Sequence, residues 1–298
     1  VVFMPRFVLP DSDAPQPLGE RYGLLTAAAG PVLMPSKAQG GGITYYPTSC
    51  GFTREYPIEC GPDDSPGESP GDDFKIFDPG TPFTEGDPFL LYSTIQCGSA
   101  GLGALAPDAV ATIDRRLRLR FSNGLSAGIE HAASVAFSAS GAPELVPSDP
   151  ADIVSVVAAL EQWLYGRRPV GAETGQGYGM RGYLHVTPTA FAYMKSEHLI
   201  EADVNNRQIW VTPMGTVVSP GAYTGALPGE AAATDGTDAL WITGQFTAWE
   251  SPDTIQPDLS ETFDRETNQW MALVERVFMV TWDCAIAAAP FNYGEVSP

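Results

Sequence analysis

Proline and glycine break the first hundred residues so often that this part of the chain cannot build a core of its own. About half of the 27 prolines fall in the first third. "GPDDSPGESPGDD" (61–73) reads as a solvent-exposed loop, and only short extended pieces remain between the breakers: "GITYYPTS", "FKIFDP" and "DPFLLYSTIQC". No βαβ repeat of a parallel sheet is legible there. A chain that begins as an arm and long loops keeps order only by lying on another surface.

From Pro107 the character of the sequence changes. Val110, Ile113, Leu117, Phe121, Leu125 and Ile129 recur at three- and four-residue spacing, a helical stripe. Pro107 suits a first-turn position and Asp108 complements the positive helix end. Gly124 and Gly128 each weaken the stripe by about 1 kcal/mol relative to alanine, so a bend or break is expected near Asn123-Gly124. A second helix is signalled by "SDPADIVSVVAALEQWLYG". Here Asp149 is the expected cap and Pro150 the first turn. Ile153, Val154, Val157, Leu160 and Leu164 form the buried stripe, and Gly166 is the stop. A third, shorter helix follows "HVTP", with Thr187 as cap, Pro188 in the first turn, then Phe191, Met194 and Leu199.

After Asn205 the pattern turns to strands. "RQIWVTPMGTVVSPGAY" holds two extended pieces around a Pro-Met-Gly turn, and "ALWITGQFTAWES" reads as one more strand. From Trp270 to Trp282 both alternating sets are mostly apolar, as in a strand buried on two sides or lying at a subunit contact. Arm and loops, long helix, two helices, then strands: the fold class is α+β.

Composition removes several functions. The formal charge of −20, from 16 Lys+Arg against 36 Asp+Glu, opposes nucleic-acid binding by the whole surface. No apolar run reaches the length of a membrane span, so no membrane partner is expected. Cys50, Cys60, Cys97 and Cys284 form no C-x-x-C and lie far from the three histidines, which argues against zinc. Cys50 and Cys60 flank a short loop and could bridge under oxidising conditions.

One motif competes for chemistry. Arg116 to Phe121 alternates charged and apolar residues, and Gly124-Leu125-Ser126-Ala127-Gly128 then spells G-x-S-x-G. Strand, motif and helix would form the nucleophile elbow of a serine hydrolase acting through Ser126. The elbow needs a parallel sheet before it, and an acid and then a histidine after it. The upstream residues supply no such sheet, and His131 follows Ser126 on the same element. "GQGYGM" (175–180) lacks the last glycine of a dinucleotide fingerprint, and His198-x-x-Glu201 lacks the next histidine of a zinc motif. His185, between Leu184 and Val186, reads as a strand histidine.

The cluster Arg115, Arg116, Arg118 and Arg120 stands out from the acidic background. It fits a solvated helix face with intersubunit ion pairs, or a patch turned toward an enclosed polyanion.

The order of elements, with "DIVSVVAALEQWLYG", "GYLHVTPTAFAYMKSEHLI", "IWVTPMGTVVSPGAY" and the C-terminal "LWITGQFTAWES…FDRETNQWMALVERVFMVTWDCAIAAAPF", resembles the HK97-fold major capsid proteins of tailed phages, actinobacterial phages in particular. Encapsulin shells share that fold. The resemblance implies an N-terminal arm (1–40), an E-loop region (41–95), a P-domain with a long spine helix (96–145) and an A-domain (146–240). Return strands at 241–298 would complete the A- and P-domains. It implies a shell subunit forming hexamers and pentamers with itself around double-stranded DNA, bound without sequence specificity. Portal, scaffolding and decoration proteins would be further partners, and the setting would be a virion assembled in the host cytoplasm. No enzymatic activity, cofactor or metal is implied. An encapsulin-type compartment is the alternative within the fold, and the Ser126 hydrolase the alternative outside it. Lysines are few (Lys37, Lys75, Lys195), which speaks against the Lys–Asn crosslinks of some relatives. Tyr45, Tyr46, Phe52 and Tyr56, aromatics in a segment without a core, are the expected subunit-interface residues. Ser126 becomes a small residue at the bend of a kinked spine helix.

Overall fold

The computed structural model describes residues 23–28, 31–45, 84–98, 109–166, 178–252, 263–264, 269–283 and 285–294. From the N-terminal side come a single helical turn α1 (Leu24–Ala27), strand β1 (Val32–Leu33), a 3-10 turn (Ser36–Ala38) and the paired strands β2 (Ile43–Tyr45) and β3 (Thr84–Gly86). Strand β4 (Pro88–Gly98) precedes the long helix α2 (Ala109–Ala139). Then follow α3 (Ile153–Tyr165), β5 (Tyr183–Val186) and α4 (Pro188–Ser196). The rest is strand: β6 (Glu201–Ala202), β7 (Trp210–Val211), β8 (Val217–Pro220), β9 (Thr237–Thr243), β10 (Phe246–Glu250), β11 (Phe263–Asp264), β12 (Gln269–Trp282) and β13 (Ile286–Asn292). The fold is α+β, as the sequence implies.

Two sheets share α2. In the first, β12 is the axis. β4 runs antiparallel along one edge of it, while β10 and β11 share the other edge and β1 extends β10 in parallel. The second sheet has the order β13-β9-β5-β8-β7-β6, with β5 and β8 its parallel pair. Helices α3 and α4 cover one face of it. Val156, Leu160 and Leu164 of α3 and Met194 of α4 meet Leu184, Leu240 and Ile242 there. The opposite face, with Ala239, Trp241 and Ala288, packs on Ile129, Ala133 and Phe137 from the C-terminal half of α2. Phe278 and Val280 of β12 close that core from the first sheet. Toward its N-terminal end α2 packs Ile113 and Leu117 on Ile95, Ala272 and Val274. With 31 residues, the helix spans about 46 Å at 1.5 Å per residue.

Of the stripe on α2, Ile113, Leu117 and Ile129 are buried and Phe121 and Leu125 half-buried, as expected, while the Val110 side chain lies outside the described residues. The break at Asn123-Gly124 is absent, and the helix continues to Ala139. The cores on both sides of the glycines hold the ladder together against the propensity cost. Gly128 lies against the Leu91 side chain, where a Cβ would come within 3.0 Å.

Two local expectations are corrected. Asp152, not Asp149, caps α3: its carboxylate accepts from the Val154 and Ser155 N–H groups at 3.1 and 3.2 Å. Asp149 instead accepts from the Ala151 N–H at 2.9 Å and closes a turn through Pro150. Ile153, Val157, Leu160 and Leu164 are buried as expected, while Val156 is buried in place of Val154, which is exposed. "ALWITGQFTAWES" is two strands: β9 lies in the second sheet and β10 in the first, with Gly244-Gln245 between them. The return crossing, from β12 to β13, is laced to it. Gly244 N–H donates to the Ala285 carbonyl and Asp283 N–H to the Gln245 carbonyl, both at 2.9 Å. Helix α4 is capped as read, the Thr187 hydroxyl accepting from Ala190 N–H at 3.2 Å.

Residues 23–28 and 31–43 pack against the rest of the chain. Leu24 is buried in the core between the sheets. Met34 and Ala38 cover Met279 on the far face of β12.

Candidate assembly surface and the polar seam of the long helix

Ser126 lies in mid-helix, its backbone helical on both sides. A nucleophile elbow needs a sharp strand-to-helix turn, and this serine has none. Its hydroxyl donates to Glu130 Oε1 at 3.0 Å, and both residues are buried. His131 is exposed on the same helix. The geometry is that of a structural serine.

Ser126 belongs to a row spaced by four residues: Ser126, Glu130, Ser134, Ser138. Four-residue spacing places side chains above one another on one helix face. Glu130 accepts from Leu24 N–H at 2.9 Å and, through Oε2, from Ala222 N–H at 2.7 Å. Ser134 Oγ accepts from Thr224 N–H at 3.2 Å. Ser138 donates to the carbonyls of Leu227 and Glu230 at 3.2 and 2.6 Å. The row thus binds main-chain groups of the 221–230 loop, which leaves β8 and leads toward β9. The loop is partly buried, backbone groups taken out of water must be paired, and the seam pairs several of them. Sequence reasoning passed over it because these residue types look solvent-facing. The four-residue spacing parallel to the apolar stripe was the available signal.

Next to the seam, His185 of β5 is buried among Phe137, Tyr223 and Phe246, ring centroids 4.8, 5.5 and 5.2 Å away. Its Nδ1 lies 3.1 Å from the Tyr223 hydroxyl and its Nε2 3.0 Å from the Thr243 hydroxyl. Thr243 gives its own proton to the Gly244 carbonyl at 3.0 Å. The network therefore assigns the imidazole proton to Nε2, with Tyr223 donating to Nδ1. Burial pushes the His185 pKa down to about 3, so the ring is neutral. Burial, reinforced by the negative charge of Glu130, holds the Tyr223 phenol well above its ordinary range. This is a strand histidine in a satisfied core.

The arginines lie along the N-terminal part of α2. Arg115, Arg118 and Arg120 are exposed and Arg116 half-buried. Arg118 Nε donates to Asp114 at 2.9 Å, one turn earlier, and Arg120 Nη1 to the Thr94 carbonyl at 2.8 Å. Arg118 and Arg120 are thus held within the chain. An exposed pair of this kind is worth about 0.3–0.5 kcal/mol. Tyr45 is the last residue of β2, opposite Thr84. Its side chain, and Tyr46, Phe52 and Tyr56 entirely, lie outside the described residues, as do Cys50 and Cys60.

The apolar character of both faces of β12 has two causes. α2 covers one face. On the other, Met34, Ala38 and Ile43 cover Met279 and Val277. Further along that second face Leu90 and Tyr92 of β4 and Met271 of β12 are 47%, 65% and 49% exposed. A depression of about 350 Å³ between Thr94, Gln96, Met271 and Leu273 marks the edge of this bare area.

Two sheets sharing one long helix, the second capped by two further helices, make the HK97-like capsid fold. Comparison with solved structures bears this out. The chain is similar to the structure titled Mycobacterium phage Bobi, with TM-score 0.50 and 10% identity over 96% of this chain and 95% of that one. It is similar to the capsid of Ralstonia phage GP4, with TM-score 0.51 and 11% identity over 99% and 100% of the two chains. An encapsulin from Synechococcus elongatus is matched at TM-score 0.47 and 9% identity, over 76% of this chain and 82% of that one. No family model and no curated protein sequence matches the chain.

Proposed function

We propose that this chain is a major capsid protein, assembling with copies of itself into an icosahedral shell around double-stranded DNA. The observation that carries this reading is the fold, shared with a Ralstonia phage capsid across 99% of this chain and 100% of that one. The bare half of the β4–β12 face supports it, since large apolar side chains left exposed together mark a surface that another molecule covers. Among the described residues no helix is long and apolar enough to cross a membrane.

The finer assignments belong to the same proposal. Residues 1–40 are the arm, 41–95 the E-loop region, 96–145 the P-domain and 146–240 the A-domain, with return strands at 241–298. Tyr45, Tyr46, Phe52 and Tyr56 bury their rings on neighbouring subunits. Arg115, Arg116, Arg118 and Arg120 serve intersubunit ion pairs or face the packaged DNA. Hexamers and pentamers build the shell, the virion is its location, and portal, scaffolding and decoration proteins meet it there. The subunit acts by assembling and catalyses nothing.

Electron microscopy of the purified protein tests the reading. Closed shells of uniform size are expected, with DNA in those recovered from infected cells. Particles that stay monomeric at every concentration and ionic strength, or shells that hold a protein cargo in place of DNA, would overturn it.

A further inference from the structure

Three segments far apart in sequence meet at one carboxylate. Glu130 Oε1 accepts from Leu24 N–H at 2.9 Å and from the Ser126 hydroxyl at 3.0 Å, while Oε2 accepts from Ala222 N–H at 2.7 Å. Glu130 is 3% exposed. Acceptance at both oxygens is what an ionised carboxyl offers. The backbone makes room for it from two sides. Gly23 has φ 136°, and a Cβ there would come 2.7 Å from Ser126 Oγ and 2.8 Å from Glu130 Oε1. On the other side a Cβ at Gly221 would come 2.6 Å from Oε1. Each glycine is followed directly by the residue whose N–H donates to Glu130. The close approach of both chains to the carboxylate depends on them.

We infer that Glu130 is a latch that makes the root of the N-terminal segment (23–28) and the 221–224 loop open and close as one unit. Leu24 lies one residue past Gly23, so displacement of the chain before it pulls on the Leu24 N–H. That bond and the Ala222 bond end on the two oxygens of one carboxylate. Losing either donor removes one of the hydrogen bonds that offset the burial of the carboxylate, which weakens the case for keeping it inside. Beyond Ala222, Tyr223 bonds to His185 and Ser219 at 3.1 and 2.9 Å, on β5 and β8. Displacement of the N-terminal segment is thereby passed to the second sheet. The latch operates within one subunit and holds whether or not the shell reading does.

Native-state hydrogen exchange on the wild-type, full-length protein tests it. The Leu24 and Ala222 amides should show the same opening constant, within about threefold, and the same dependence on denaturant. Two separate opening constants would overturn the latch. Variants extend the test from each side. Gly23→Ala crowds Glu130 from the N-terminal segment and should speed exchange at Ala222 by about tenfold or more. Gly221→Ala crowds it from the loop and should do the same at Leu24. In both, amides of β9 should keep their protection. Acceleration confined to the substituted side means two independent contacts and rejects the coupling. If either variant fails to fold, the wild-type comparison decides.

Discussion

His185 makes the subunit sensitive to acid. Its pKa is pushed down to about 3 by burial, against an ordinary value of 6.5. Below pH 6.5 the unfolded chain takes up a proton at this site that the folded chain refuses, so the unfolded state binds more protons and stability rises with pH. The contribution is complete above pH 6.5 and is lost as pH falls toward 3. Across that window the loss is about 1.4 kcal/mol per pH unit. Denaturant titrations at pH 7, 5 and 4 should show this slope in the wild type and lack it in His185→Gln; equal slopes in the two proteins would reject the assignment. Ser126 gives a second expectation. From sequence, its loss would cost no more than about 1 kcal/mol. Because its partner is a buried carboxylate, Ser126→Ala should instead cost about 1.5–3 kcal/mol. Ser126 should also stay unlabelled by a fluorophosphonate probe, because its hydroxyl is buried and bonded to Glu130. Labelling at Ser126 would revive the hydrolase.

At the scale of elements, α2 is the part on which both sheets depend. Leu117 is fully buried against Ile95 and Val274. Leu117→Pro removes a ladder bond at about 3 kcal/mol and a core side chain at about 2–5 kcal/mol. Against a usual stability of about 5–15 kcal/mol, the variant should be recovered only as insoluble or unfolded protein; a cooperative melt near the wild-type temperature would contradict this. The N-terminal segment has a similar internal role. An arm that touched only neighbours could be cut off without harm to the free subunit. Leu24 and Met34, however, fill cores of their own chain, each worth about 1.5–3 kcal/mol. Removing residues 1–40 should therefore lower the melting temperature of the unassembled subunit, and calorimetry below the assembly concentration would show it. Sequence made the apolar stripe of α2 legible because its period is set by the backbone and survives two glycines. The boundary inside "ALWITGQFTAWES" was hidden because only Gly244-Gln245 separates two apolar runs, and membership of different sheets is a tertiary fact. The α3 cap was misplaced because Asp149-Pro150 and Asp152 both look like helix starts, and only the hydrogen bonds separate them. Ser134 and Ser138 were missed as partners of a loop whose path no local pattern predicts.

For the whole molecule, the two roles proposed for the arginine row, ion pairs between subunits or contact with packaged DNA, can be told apart. Replacing Arg116 and Arg120 with glutamine removes the contacts both make within the chain, the Arg120 bond to the Thr94 carbonyl among them, a loss common to empty and filled particles. If the row faces DNA, filled shells should lose thermal stability beyond that common amount, in proportion to the phosphate contacts given up. Equal loss in empty and filled shells, read by light scattering during heating, would assign the row to intersubunit ion pairs. The link between the sheets sets how force travels across such a particle. A single connecting strand would act as a swivel, and each sheet could turn while the other stood still. Here two antiparallel crossings, at Gly244-Gln245 and beside Asp283 and Ala285, are bonded to each other. A pair laced in that way behaves as a plate: it resists torsion, so a push on the rim of one sheet arrives at the other as rotation of a single rigid lever.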